Sequence, residues 1–125
     1  MDKNNNAPFS FKARWRSFYF AFNGLCHAIK SEHNLWLHAF ATAVVIVMGF
    51  YCSLPVNEWV FLLLAIGLVW VAELLNTALE NLADAVSQEE NQLLGLSKDI
   101  AAAAVLIAAL IAAIVGAMVF IPYCL

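Results

Sequence analysis

Residues 59–79 read WVFLLLAIGLVWVAELLNTAL, an apolar run with a single charge, Glu73. At the usual helical rise this segment reaches about 31 Å, the thickness of a bilayer's hydrocarbon core. Its length and apolarity predict a membrane-spanning helix. An anchor alone would be apolar throughout. Here Glu73 is followed by Asn76, Glu80 and Asp84, at steps of 3, 4 and 4 that put all four on one helical face. The helix is therefore expected to continue past its span, to Asp84.

Working outward, residues 35–54 form a second apolar stretch, with His38 its only ionisable group apart from Tyr51 and Cys52. The turn Ser53-Leu54-Pro55-Val56-Asn57 separates the two, with Pro55 ending one helix and Asn57 able to cap the next. Beyond residue 84 lies a polar stretch, 87–97, broken by Gly95, and then a third apolar segment at 100–121. Within it Ala101, Ala104, Ala108, Ala112 and Gly116 form a small-residue ridge that another helix can approach closely. Near the N-terminus the apolar positions 11, 15, 18, 22, 25 and 29 trace one helical face, with Arg14, Arg16, Ser17 and Lys30 off it. Such a helix, at 9–31, suits the membrane surface. Residues 1–8 are polar, are expected to be disordered, and carry no apolar leader. The expected fold is an all-α membrane protein: a disordered tail at 1–8, then one domain at 9–125 comprising a surface helix and three spans.

Composition agrees. Of 125 residues, 64% are hydrophobic and 12% charged, with a mean hydropathy of +0.82. A domain this small cannot hide so much apolar surface from water, so lipid must cover the rest. The net charge of −3 gives no electrostatic reason to expect a nucleic-acid partner. All six basic residues, Lys3, Lys12, Arg14, Arg16, Lys30 and Lys98, lie before the first span or between the second and third. By the positive-inside rule the N-terminus and the second connection face the cytoplasm. Cys26, Cys52 and Cys124 fit neither a metal-ligand spacing nor a disulfide framework, and read as small buried or lipid-facing residues.

A charged acid within a span costs on the order of 2.5–3.5 kcal/mol on insertion scales unless it is partnered. Two acids with an amide between them therefore point to a site. Glu32 before the first span and Lys98-Asp99 before the third reach the same cytoplasmic level. Carboxylates without His or Cys partners suit a hard cation such as Mg²⁺, and a lysine beside it suits phosphates. No glycine-rich phosphate loop is present, because Gly24, Gly49, Gly67, Gly95 and Gly116 are isolated. A nucleotide would have to be held by side chains on helices.

The run Glu73-Leu-Leu-Asn76-Thr-Ala-Leu-Glu80-x-x-x-Asp84 resembles the small prokaryotic diacylglycerol kinase and undecaprenol kinase family. The likeness continues through Lys98-Asp99-x-Ala-Ala-x-Ala-Val-Leu-Ile, Ser17-Phe18-x-x-Ala21-Phe22-x-Gly24 and Glu32-x-Asn34. It implies a homotrimeric, three-span lipid kinase of the bacterial inner membrane that uses ATP with Mg²⁺. Carried over, Glu73 matches the general base for the lipid hydroxyl, and Glu32 and Glu80 match metal-binding acids. Asn76 matches an active-site amide, Lys98 and Asp99 match nucleotide contacts, and Asp84 borders the same site. Ala13 and Phe20 depart from the arginine and tyrosine of the diacylglycerol-specific branch, leaving Lys12, Arg14 or Arg16 to substitute. Asn91 stands where many members have a histidine. His38, four residues after Asn34, and Asn57-Glu58-Trp59 look more like the branch that phosphorylates undecaprenol. His38 is accordingly a candidate lipid-substrate residue.

The expected function is transfer of the ATP γ-phosphate to the primary hydroxyl of a membrane lipid alcohol, giving undecaprenyl phosphate or phosphatidic acid. A proton- or cation-coupled transporter is the alternative, since intramembrane glutamates also serve as relays. The acids lie near one end of the helix, however, whereas a transport site is expected near the midplane. A non-catalytic assembly subunit would leave Glu32 and Lys98 unexplained. An oligomer is expected because three helices of one chain cannot easily enclose Glu73 and Glu80.

Overall fold

The computed structural model describes residues 8–124, and the expected disordered tail at 1–8 lies, but for Pro8, outside them. Four helices make up these residues: α1 (Phe11–Ser31), α2 (His33–Tyr51), α3 (Val56–Val86) and α4 (Gln92–Cys124). The last three are long and apolar enough to cross a membrane. The protein is thus an all-helical membrane protein with one surface helix and three spans.

Element boundaries follow local hydrogen bonding. Ser10 caps α1, its Oγ accepting from Ala13 N at 3.3 Å, so the helix starts at Phe11 and not at residue 9. Trp36 Nε1 donates to Ile29 O at 2.6 Å and pins the elbow between α1 and α2. Pro55 holds the N-cap position of α3, and Asn57 lies one residue inside the helix, where its amide reaches Glu58 instead of capping. Ser53 takes a left-handed φ of 51° to complete this two-helix turn. The expected polar loop at 87–97 is shorter than its composition suggests. Asn91 Oδ1 accepts from Leu93 N and Leu94 N, starting α4 at once and leaving Gly95 within the helix. That cap gives Asn91 a local structural role.

Helices α3 and α4 pack most extensively, and the small-residue ridge is what lets them. Ala108 at its centre is 3% exposed. The ridge therefore meets a helix of its own chain. At the far end Leu54, Leu62 and Val119 form a buried cluster with Trp59 packed on it. Gly49 lies so close to Trp59 that an added Cβ would sit 2.6 Å from the ring, so the α2–α3 corner needs a glycine there. The aromatic residues of α1, Phe11, Trp15, Phe18 and Phe22 among them, are exposed, as befits a face that meets lipid.

The reading of the cysteines needs correction. Cys52 and Cys124 are joined in a disulfide, with Cα atoms 6.4 Å apart, and only Cys26 is free. A separation of 72 residues hides this pairing, because the topology, and not the spacing, returns α4 to the end of α2. A disulfide closing so long a loop is worth about 2–4 kcal/mol in typical proteins. Reductant is therefore expected to lower the thermal midpoint of the wild-type protein to that of Cys124→Ser. A wild-type midpoint indifferent to reductant would show that the bond is absent or unimportant.

Candidate active site

Glu73 is 2% exposed although it lies within a span, and Asn76 and Thr77 beside it are also buried. One chain thus encloses the deepest acid, while Glu80 stays half-buried. Two features achieve this. The small residues of α4 bring its backbone close to α3, and α2 carries His38 across the same level. His38 Nε2 stands 3.7 Å from Glu73 Oε2. The intramembrane carboxylate therefore has a polar neighbour that can share a proton or orient a hydroxyl between them.

One turn towards the basic end, Asn76 Nδ2 donates to Glu80 Oε1 at 3.0 Å. The same amide's Oδ1 is buried without a partner. A buried oxygen left unpaired costs about 1–3 kcal/mol, so a ligand that bonded to it would gain by doing so. Beyond Glu80, Lys98 Nζ donates to Asp84 Oδ1, tying α4 to α3 at the water-facing edge. The hydrogen bond with Asp84 raises the Lys98 pKa above its ordinary value, working against desolvation, and the charges of Asp84 and Glu80 raise it further. That ammonium remains charged throughout the neutral range.

Asp84, Lys98, Glu89, Glu90 and Asn91 also line a polar recess of about 600 Å³ at the α3–α4 connection. The recess is large enough for a solvated polar ligand. Glu32 sits between α1 and α2 as the N-cap residue of α2, half-buried, with no side-chain cap bond. Among the described residues it joins no ion pair, and Asp99 is exposed and likewise unpaired. The structure therefore brings His38 to Glu73, Asn76 to Glu80, and Asp84 to Lys98, while Glu32 and Asp99 stand apart. No group of three metal-ligating side chains forms among the described residues. What the chain does offer a hard cation is the Glu80 carboxylate and the unpartnered Asn76 oxygen, donors that suit Mg²⁺ when phosphates complete its shell.

Two contributors escape sequence reading. Trp70 Nε1 donates to Thr42 Oγ1 at 3.0 Å, and that hydroxyl donates to His38 O at 2.7 Å. The chain of bonds fixes the His38 turn of α2 against α3. Neither residue stands out in a span already rich in apolar and β-branched types. Ala28 of α1 is also buried, beside the equally buried Thr77, so the surface helix roofs the site.

The family described as prokaryotic diacylglycerol kinase matches residues 19–120. The chain is similar to the undecaprenol kinase of Bacillus subtilis, 36% identical over 108 residues that cover 86% of this chain and 88% of that one. It is 38% identical to a diacylglycerol kinase of Synechocystis over 107 residues, 85% of this chain and 61% of that protein. With the diacylglycerol kinase of Escherichia coli it shares 30% over 95 residues, 76% of this chain and 78% of the relative. The coupled-transporter alternative draws no support from these similarities.

Proposed function

The chain belongs to the prokaryotic diacylglycerol kinase family and is a membrane lipid kinase; from that premise we propose that it transfers the γ-phosphate of MgATP to the primary hydroxyl of undecaprenol in preference to diacylglycerol. We place the reaction at the cytoplasmic face of the bacterial inner membrane. The observation that carries this reading is the order of polar groups along α3: Glu73 buried among apolar residues, then Asn76 and Glu80, then Asp84 with Lys98 at the aqueous edge. Lipid and nucleotide must approach such a site from opposite directions.

Glu73 accepts the proton of the lipid hydroxyl as its oxygen forms a bond to the γ-phosphorus. The bond from that phosphorus to the departing ADP breaks, and the phosphoryl group ends on the lipid. His38, beside Glu73, orients the hydroxyl or the carboxylate. Lys98 meets phosphate charge at the outer edge, held in direction by Asp84. Mg²⁺ would be held by Glu80 and the Asn76 oxygen, with Glu32 as a further proposed ligand, and would neutralise charge on the phosphates. Asp99 would contact the nucleotide from the water side. Positioning and charge neutralisation supply most of the catalysis in such transfers.

Orientation follows from charge and redox chemistry together. Lys30 and Lys98 mark one end of the bundle, and the Cys52–Cys124 disulfide marks the other. Positive charge favours the cytoplasmic side, and disulfides persist in oxidising compartments. The N-terminus is accordingly cytoplasmic. A homotrimer is the proposed active unit, consistent with the broad exposed apolar faces of all three spans.

Undecaprenol is favoured because Thr42 and Trp70 near Glu73 are already bonded to each other. That leaves His38 as the polar side chain available from α2 at that level, too few groups for the two esters of diacylglycerol. A site built to bond those esters would reject a substrate lacking them, whereas an apolar one discriminates weakly. Purified protein in mixed micelles with radiolabelled ATP should phosphorylate undecaprenol faster, with residual activity on diacylglycerol. A kcat/KM favouring diacylglycerol by more than about tenfold, roughly 1.4 kcal/mol, would overturn the preference and leave the kinase intact.

A further inference from the structure

Helices α2 and α3 run antiparallel from the corner where Gly49 meets Trp59. Above that corner an apolar gap lined by Val45, Leu62 and Ile66 opens between them. Beyond the gap they share two polar rungs, Thr42 with Trp70 and His38 with Glu73. A step of four along α2 is matched by a step of three along α3, one helical turn in each, so both rungs belong to one register. Chemistry fixes the direction of the first rung. An indole N–H can only donate, so the Thr42 hydroxyl must accept from Trp70, at 3.0 Å. Its single hydrogen is then left for the His38 carbonyl, which it meets at 2.7 Å. Thr42 thus couples α3 to the main chain of the residue that faces Glu73.

The second rung is a gap and not a bond. His38 Nε2 and Glu73 Oε2 stand 3.7 Å apart. That exceeds the roughly 3.2 Å limit of a hydrogen bond, yet one hydroxyl oxygen can stand about 2.8 Å from both atoms. Such a hydroxyl accepts from the imidazole and donates to the carboxylate. A shift of α2 by only about 0.5 Å towards α3 would let the imidazole bond the carboxylate directly and shut the hydroxyl out. We propose that Thr42 and Trp70 are positioning residues, whose bond sets the spacing of α2 from α3 so that His38 and Glu73 hold the substrate hydroxyl between them. The proposal rests on the lipid-kinase reading and adds to it two residues that act through His38. Apolar surroundings offer the indole N–H no other acceptor, so the tie has no ready substitute.

Thr42→Val keeps the side chain's shape and removes the hydroxyl, whereas Thr42→Ser keeps the hydroxyl. Expected for Thr42→Val is a fall of at least about tenfold in kcat on the better of the two lipids, with the KM for MgATP unchanged, since a misplacement of about 1 Å can cost about a hundredfold. Thr42→Ser should keep most of the wild-type rate. The bond from Thr42 goes to the main chain of His38, which His38→Ala retains. Thr42→Val should therefore cost nothing further in a His38→Ala background, whereas a loss due to packing alone would recur in both backgrounds. An unchanged rate in folded Thr42→Val, or the same loss with and without the imidazole, would overturn the proposal. Trp70→Phe keeps a ring and removes the donor. It should behave as Thr42→Val does, and it carries the same cycle where Thr42→Val fails to assemble. A second readout needs no turnover. In the magnetic resonance spectrum of protein with isotope-labelled histidine, the His38 imidazole signals are identified by their loss in His38→Ala. They should move in Thr42→Val and stay in place in Thr42→Ser; signals unmoved in both would also overturn the proposal. A wild type that phosphorylates neither lipid would remove the kinase reading, and the histidine signals would then decide the spacing alone.

Discussion

Replacing Glu73 by glutamine is expected to lower kcat by at least about a hundredfold while leaving the fold and assembly intact, since general-base catalysis contributes about 10²–10⁴-fold. Glutamine has nearly the same size and can still accept a hydrogen bond, so packing around a residue only 2% exposed need not change. What it cannot do is take the hydroxyl proton. The burial that makes the residue useful also makes it hard to replace. The nearest titratable neighbour among the described residues is His38, whose Nε2 stands 3.7 Å from the carboxylate. Thermal unfolding and oligomer mass should match the wild type, and the loss should appear equally in kcat and kcat/KM. A folded variant retaining more than half the wild-type rate would remove Glu73 from the role of base.

The spans and the polar face of α3 were legible because their signals are local. Helical period, length and the cost of an unpartnered acid in lipid all act within one segment. The 3, 4, 4 spacing that aligns Glu73 with Asp84 depends on nothing outside α3. The Cys52–Cys124 bond, the His38–Glu73 approach and the Trp70–Thr42 tie were not legible, because each joins two helices at a register that the turns decide. Burial of Glu73 within one chain went unforeseen for a related reason. Counting helices ignores how closely they pack, and Ala108 lets α4 approach further than a larger residue would allow. Loop length was overestimated where composition misleads: the Gln- and Glu-rich stretch before Lys98 looks like a connection, yet the Asn91 cap converts most of it into helix.

The acid at position 80 makes a different demand on the site, and its replacement separates metal binding from proton transfer. Glu80→Gln preserves an oxygen that can accept from Asn76 Nδ2, so the amide can keep its orientation and its Oδ1 its place. The charge is what disappears. A hard cation held by two oxygen donors depends on that charge, because an amide oxygen alone competes poorly with water for Mg²⁺. Loss of groups that support a metal site typically costs about 10–100-fold in affinity or activity. Glu80→Gln is therefore expected to need at least about tenfold more Mg²⁺ for half-maximal rate and to show a raised KM for MgATP, with the KM for lipid unchanged. Glu32→Gln should move the same two quantities if that carboxylate, which joins no ion pair among the described residues, reaches the same cation. Titration of rate against Mg²⁺ at fixed ATP checks both. A Glu80→Gln protein with the wild-type Mg²⁺ response and a weakened lipid KM would place this carboxylate on the substrate side of the site. The cation would then have to be assigned to acids nearer the aqueous edge, where Asp84 already holds Lys98.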